Sequence, residues 1–368
     1  MRSLIFALTA LIFSLNVYSQ RNDPLINPYW NFFSDNHLDA VSSGKGRTGI
    51  GEVGDISSTV MNPAAFEIEK KYQVNVQYTY KTNQPWLQGL GISDLYLKQN
   101  VFAGIAGFGY KLNKHLNAGL VYSNPYSMDI NVGEIIRTNE FGQEIGRYEA
   151  YEKYSSHNLS IPISYKFKKF RIGITLNYTL HRRYFNFEYE KFVVKFDRFN
   201  ADAGILVDIS EHLTFGLKFR PEAKGQAKYY SDSISQIDEY TDVLLPMQIG
   251  TGVSYTIPMN KLNFAADYTF IQGSKIEGLS DQHWFNFGIQ YPLNKYWTIR
   301  GGFFNAPEPR DFKTSYINPE ESYSQFFLTA GASVKSDIAV FSLAIMDSHI
   351  SSSTLKYTFI TGGLNLNF

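Results

Sequence analysis

From Lys71 onward, large apolar side chains occupy every second position, the spacing that sends alternate residues to opposite faces of a strand. Phe285, Phe287, Ile289 and Tyr291 alternate with Asn286, Gly288 and Gln290. Leu159, Ile161, Ile163, Tyr165 and Phe167 alternate with Ser160, Ser164 and Lys166, and Phe264, Ala266, Tyr268 and Phe270 with Asn263, Asp267 and Thr269. Turn signals at 112–115, 167–170, 210–212, 258–261, 292–295 and 336–337 separate these runs. Longer connections fall between them at 86–99, 134–156, 224–242, 272–281 and 307–322. Tight turns alternating with long connections are what the two rims of a membrane barrel require. The segmentation gives about 14 strands, starting near Tyr72, Asn100, Leu116, Asn158, Phe170, Phe192, Leu213, Val243, Leu262, Gln282, Tyr296, Tyr323, Ile338 and Thr354. The predicted fold is therefore all-β, a transmembrane antiparallel β-barrel over 71–368. A soluble sandwich would need a polar outer face on each sheet, whereas here the aromatic face recurs along the whole chain. Trp284, Tyr296, Trp297 and Tyr323 are expected at the membrane interface. Leu355, Tyr357 and Phe359 are odd-numbered while Leu364, Leu366 and Phe368 are even, which predicts a bulge near Gly362 and Gly363.

The N-terminal part does not alternate. Arg2, an apolar run from Leu4 to Leu15 and the small-residue site before Gln20 read as a secretory signal peptide over 1–19. Segment 20–70 reads as an extension and a plug, glycine-rich from Gly44 and ending on Asn62, Pro63 and Ala64. Gly49, Gly51 and Gly54 spell GxGxxG, but a pyrophosphate cradle needs a strand before it and a helix after it, and Pro63 interrupts the helix. The segment reads instead as a luminal hatch, or more blandly as a flexible linker. With 26 Tyr and 29 Phe, no cysteine and a formal net charge of zero, the chain has no disulfide or thiolate chemistry and no basic surface for nucleic acid. Its seven histidines lack metal-ligand spacing, and no nucleophile elbow is present. Asp347, Ser348 and His349 are adjacent, yet neighbouring strand residues point to opposite faces, so they do not form a catalytic pair. The expectation is a non-enzymatic protein with no cofactor and no metal.

The order of four motifs resembles the FadL-type family, the outer-membrane channels for long-chain fatty acids and other hydrophobic compounds. These are Gly49 to Ala64, similar to the family's hatch; Tyr122, Ser123, Asn124, Pro125, Tyr126, similar to its proline-interrupted strand; Leu244, Leu245, Pro246; and the run from Trp284 through Arg300, Gly301, Gly302 to Pro309. The resemblance implies a 14-stranded barrel filled by an N-terminal hatch, with passive uptake of hydrophobic compounds such as long-chain fatty acids by hatch movement and release sideways through the wall. Such a gap needs a strand that cannot complete its ladder. Pro125 lacks an N–H donor and would make that break beside Asn124, unless it lies in a loop above the membrane. Asn62 would anchor the hatch to the wall or simply start a turn. Arg300 has lumen parity and would meet Glu52 or Asp55, or a ligand carboxylate.

The ending Leu364, Leu366, Phe368 resembles the signal read by barrel-assembly machinery, which becomes an expected partner along with outer-membrane lipids. The chain is short for a transporter of the family, so a second reading stays open. It would be a non-transporting scaffold within an outer-membrane machine, like the PorV branch in type IX secretion, with outer-membrane protein partners. An aromatic lumen would favour transport of a hydrophobic small molecule, and a polar lumen would favour the scaffold. Phe185, Phe187 and Tyr189 with Arg182, Arg183 and Lys191 read either as lipid-headgroup contact or as a solvated strand extension. The expected location is the outer membrane of a Gram-negative bacterium.

Overall fold

The computed structural model describes residues 39–81, 96–98, 100–187, 190–231, 240–276, 279–308, 311, 324–350 and 358–368. Alternating side chains build one closed antiparallel sheet. Its strands are β1 (Tyr72–Lys81), β2 (Tyr96–Lys98 and Asn100–Lys111), β3 (Leu116–Thr138), β4 (Glu144–Phe167), β5 (Phe170–Phe187), β6 (Glu190–Asp208) and β7 (Leu213–Arg220 and Ala223–Ser231). They continue as β8 (Tyr240–Leu245 and Gln248–Thr256), β9 (Asn263–Ile271), β10 (Gln282–Pro292), β11 (Trp297–Ala306), β12 (Gln325–Lys335), β13 (Ala339–Asp347) and β14 (Thr358–Asn367). Three strands are written as two segments because both halves pair with the same neighbour. Pro221 and Pro246 lie at the breaks in β7 and β8, where a ladder donor is missing. The result is a barrel of 14 strands, closed by β1 against β14 from Gln73↔Asn367 to Lys81↔Phe359.

Outward-facing side chains are apolar all round. Leu120, Ile161, Ile174, Phe285, Leu343 and Ile360 are each exposed although large and hydrophobic, an outer surface that only a lipid environment matches. No helix among the described residues is long and apolar enough to cross a membrane. One rim is made of tight turns with a shared device. Asn113 accepts from His115 N and Leu116 N, and Asn294 repeats it with Tyr296 N and Trp297 N.

Three expectations are corrected here. The connection expected over 134–156 is a hairpin instead, because β3 and β4 stay paired out to Thr138↔Glu144 around a turn with Gly142 at positive φ. The connection expected over 224–242 likewise contains the upper halves of β7 and β8. No bulge occurs at Gly362 and Gly363, since β14 keeps one register against both neighbours. Phe359 has odd parity because it faces the lumen, not lipid, and is buried there. Leu355, Tyr357 and Tyr323 lie outside the described residues.

Candidate functional site

The hatch occupies the lumen. Residues from Asp39 to Ile68 are folded there as one short helix, α1 (Ala40–Ser43), two 3-10 turns (Ile56–Val60 and Pro63–Ala65) and a bridge between Gly54 and Phe66. Each turn is started by the side chain in front of it: Asp39 accepts from Val41 N and Ser42 N, Asp55 from Ser57 N, and Asn62 from Ala64 N.

Wall strands satisfy the hatch's remaining backbone groups. Asp267 on β9 accepts from Gly49 N at 2.7 Å and Ile50 N at 2.9 Å. Gln73 and Gln77 on β1 accept from Ile56 N and Ala40 N. Lys218, Asn286 and Ser164 donate to the carbonyls of Val60, Arg47 and Phe66. Asn62 Nδ2 donates to Ile50 O at 2.7 Å and Ile205 O at 3.3 Å, so it ties the hatch both to itself and to β6. Inside the hatch Lys45 pairs with Glu52. Asp55 is half-buried, and its desolvation together with neighbouring Asp39 pushes its carboxyl up to about 6, against hydrogen bonds from Ser57 and Asn75 that pull it down.

A collar of inward glycines lets the hatch approach the wall backbone. Gly173, Gly204, Gly216, Gly252, Gly288, Gly302 and Gly331 lie on β5 to β8 and β10 to β12, and a Cβ on any of them would come closer than 3.0 Å to hatch atoms. Several are cross-strand partners: Gly173↔Gly204, Gly216↔Gly252 and Gly288↔Gly302. Of the predicted hatch glycines, Gly51 meets Gly252 backbone to backbone, while Gly49 packs on Met61 and Gly54 on Ser58. Sequence reasoning missed the collar, although glycine recurring at inward parity was a readable signal.

The lumen on the long-connection side of the hatch has two unlike halves. On β10 to β14 lie buried Trp284, Phe304, Phe327, Met346 and Phe359. Phe304 and Phe327 stack at 4.8 Å, with Phe359 at 5.9 Å from Phe327. The hatch's Arg47 places its guanidinium over both Trp284 and Phe304, at 4.8 and 4.9 Å. Trp284, expected at the membrane interface, thus belongs to the lumen. On β4 to β7 the same level is polar. Thr179, Asn158, Ser160 and Asn177 form one hydrogen-bonded chain, and Arg220 pairs with Asp202 at 2.8 Å.

The wall is interrupted at β2 and β3. Asn124 and Pro125 together face the single residue His157 of β4, because the register passes from Ser123↔Asn158 to Tyr126↔Ser156. On the other side of β3, the ladder with β2 stops at Ile105↔Ser123 and resumes only at Lys98↔Asp129. Among the described residues, 102–104 pair with neither β1 nor β3. Pro125 therefore lies in a strand and not in a loop. The β2 half of the interruption carries no proline and was not legible.

The remaining predicted residues are dispersed. Arg300 donates to Gln290 and Ser333 on adjacent strands, not to Glu52 or Asp55. Glu52 is taken by Lys45, and Asp55 accepts from Asn75 and Asn365 of the wall. Leu364 and Leu366 belong to the outward face of β14, and Phe368 O accepts from Tyr72 N at 2.7 Å. Ser348 is buried while Asp347 and His349 pair in a partly exposed position, so these three do not converge on one point. No group of ligands able to hold a metal occurs among the described residues.

A barrel with an apolar outside and a lumen occupied by its own N-terminal segment is a plugged membrane barrel. No family model matches the sequence, and no curated protein matches it. Solved structures do. The toluene transporter TbuX of Ralstonia pickettii is similar over 91% of this chain and 100% of its own, at 14% identity and a TM-score of 0.64. The toluene transporter TodX of Pseudomonas putida is similar over 89% and 97%, at 14% identity and 0.60. A FadL homologue of Pseudomonas aeruginosa is similar over 90% and 98%, at 12% identity and 0.58. The chain therefore has the FadL-type barrel fold.

Proposed function

We propose that this protein is an outer-membrane channel of a Gram-negative bacterium for passive uptake of hydrophobic compounds, which leave the lumen sideways through the wall. The observation that carries the reading is the interruption of the ladder on both sides of the β2 and β3 segment that includes Asn124 and Pro125. Unpaired backbone at membrane depth costs several kcal/mol per group unless it lines a cavity. A wall that leaves it so at the outer edge of the apolar band, next to His157 and Asn158, is suited to releasing an apolar solute into the outer leaflet. The aromatic half of the lumen supports the channel over the scaffold. The neighbours whose names give hydrocarbon cargo support the solute class. Long-chain fatty acids and smaller hydrocarbons both remain within that class.

The hatch glycines, Asn62, Pro63 and Ala64 hold the plug, and movement large enough to empty the lumen would break every one of its wall contacts. Hatch motion in this mechanism is therefore local. The test is to mend the wall. Deleting Asn124 and replacing Pro125 with Val restores one residue opposite His157 and a donor for the ladder. Uptake of a labelled alkane or fatty acid into cells should fall about tenfold, with the barrel still folded by heat-modifiable gel mobility. Full uptake through the mended ladder would rule out lateral exit between β3 and β4.

A further inference from the structure

The outward face of the long strands carries cations where the apolar columns end. On β4 the column runs from Phe167 to Leu159 and is followed by His157 and, two positions on, Ser155 and Lys153. On β5 it ends at Leu180 and is followed by Arg182; on β6 it ends at Phe199 and is followed by Asp197 and Lys195. The register brings these together: Ser155 faces Arg182, which faces Lys195. From Phe167 to His157 is about ten residues, which at about 3.3 Å per residue and a tilt of about 40° spans about 25 Å, the height of the lipid-facing band. The cations thus stand at headgroup level on the rim opposite the tight turns.

Two features set this patch apart from an ordinary interface belt. At the same edge β9 to β13 present Phe270, His283, Asn305, Phe326 and Asp347 instead, and the cations Lys224 of β7 and Lys275 beyond β9 are taken by Glu222. Arg182 and Lys195 are also direct cross-strand partners, so two cations stand side by side on the outward face with Asp197 between their strands' charges. Arg182 pairs with Asp197, and Lys153 lies over the Tyr151 ring at 4.8 Å, so the side chains are held near the wall. His157 is fixed by Tyr122 at 2.7 Å.

We infer that Lys153, Arg182 and Lys195, with His157, form a site on the outer wall for the phosphate of an outer-leaflet lipid. A lipid whose chains lie along Leu159, Leu180 and Phe199 brings its headgroup phosphate between Arg182 and Lys195. There a guanidinium and an ammonium both donate to it. The site is independent of the lumen and of what passes through it. It also sits beside the wall interruption, since His157 is the residue opposite Asn124 and Pro125.

The test is native mass spectrometry of the detergent-purified full chain, titrated with monophosphorylated lipid A and, separately, with the same lipid after phosphate removal. The wild type should hold the phosphorylated lipid about tenfold more tightly than the dephosphorylated one. The variant Lys153→Gln/Arg182→Gln/Lys195→Gln should lose that preference, and Arg182→Lys alone should keep most of it. Lys168→Gln/Lys169→Gln on the tight-turn rim is the charge-matched control and should bind as the wild type does. Equal binding of the two lipids by the wild type, or undiminished preference in the triple variant, would overturn the site. If the triple variant fails to fold, the wild-type comparison of the two lipids still decides.

Discussion

Asp55 and Glu67 are hatch carboxylates whose environments push them in opposite directions. At Glu67 burial works to raise the pKa, but the hydrogen bond from Lys166 and the charges of Arg171 and Lys166 outweigh it and hold it below the ordinary value. At Asp55 burial and the Asp39 carboxylate win, and the pKa rises from 3.8 to about 6. A carboxyl with a raised folded pKa keeps its proton in the docked hatch after the free chain has lost it. Its contribution is complete below about 3.8 and is lost as pH rises through about 6. Glu67 has the reverse sign: its contribution is present above its ordinary pKa and is lost in acid. Between pH 5 and 7.5, where Glu67 stays ionised, hatch docking should therefore tighten on acidification. Hydrogen exchange of Ile56 and Ser57 amides, corrected for the intrinsic rate, should be slower at pH 5. Asp39→Asn keeps the cap on α1 but removes one of the two causes, so it should shrink the difference. Protection that does not change with pH would refute the assignment. Sequence spacing left Asn62 open between a wall anchor and a turn starter, and its two amide ends make both contacts, Nδ2 donating to Ile205 O and Oδ1 accepting from Ala64 N. Spacing misassigned Arg300 because parity gives the face a side chain points to and not which neighbour it reaches.

The collar of glycines makes the fit between the hatch and the strands testable one position at a time. Gly204 lies against Asn62 and the Pro63–Ala64 backbone, and a Cβ there would overlap them. Gly362 points outward with nothing within 4 Å of its Cβ position. Gly204→Ala should leave the strand intact, since alanine costs a strand less entropy than glycine. It should nevertheless weaken hatch docking by about 1–3 kcal/mol, the usual cost of overpacking. Limited proteolysis should then cut within 39–70 in Gly204→Ala and not in Gly362→Ala. Identical digestion of the two would show that the collar does not seat the hatch. At this scale the sequence was legible wherever a turn residue ended an alternating run, so most strand starts fall within a few residues of those observed. It failed at β4, expected from Asn158 and found from Glu144. Charged and small residues beyond the bilayer keep the same backbone pairing but lose the apolar alternation that marks a strand. The β2 half of the wall interruption was hidden for a related reason: the three residues 102–104 drop out of both ladders without a proline to announce it.

Considered as a whole, the barrel is symmetric outside and asymmetric inside, and only the first property can be read from alternation. Every strand needs an apolar outward column to stand in lipid, so period two recurs along the chain. The inward positions answer to the hatch and the lumen instead, and their identity changes with the sector. Trp284 and Phe359 were misplaced because an aromatic residue on a barrel strand is expected to face lipid. Both face the lumen, where they join Phe304 and Phe327 on β10 to β14. If this half carries the hydrophobic solute, the two faces of one strand should separate cleanly. Phe327 points inward and Leu328 outward on β12. Phe327→Gln removes apolar contact from the lumen, and at about 1.5–3 kcal/mol for a buried aromatic the solute's apparent affinity should drop about tenfold or more. Leu328→Gln damages only the lipid face and should reduce folded barrel without changing the affinity of what remains. Uptake of a labelled hydrocarbon, normalised to heat-modifiable barrel and measured over a concentration range, separates the two. An unchanged half-saturation in Phe327→Gln would mean that the solute does not contact this half, and would shift its path to the polar side near Asn158 and Arg220.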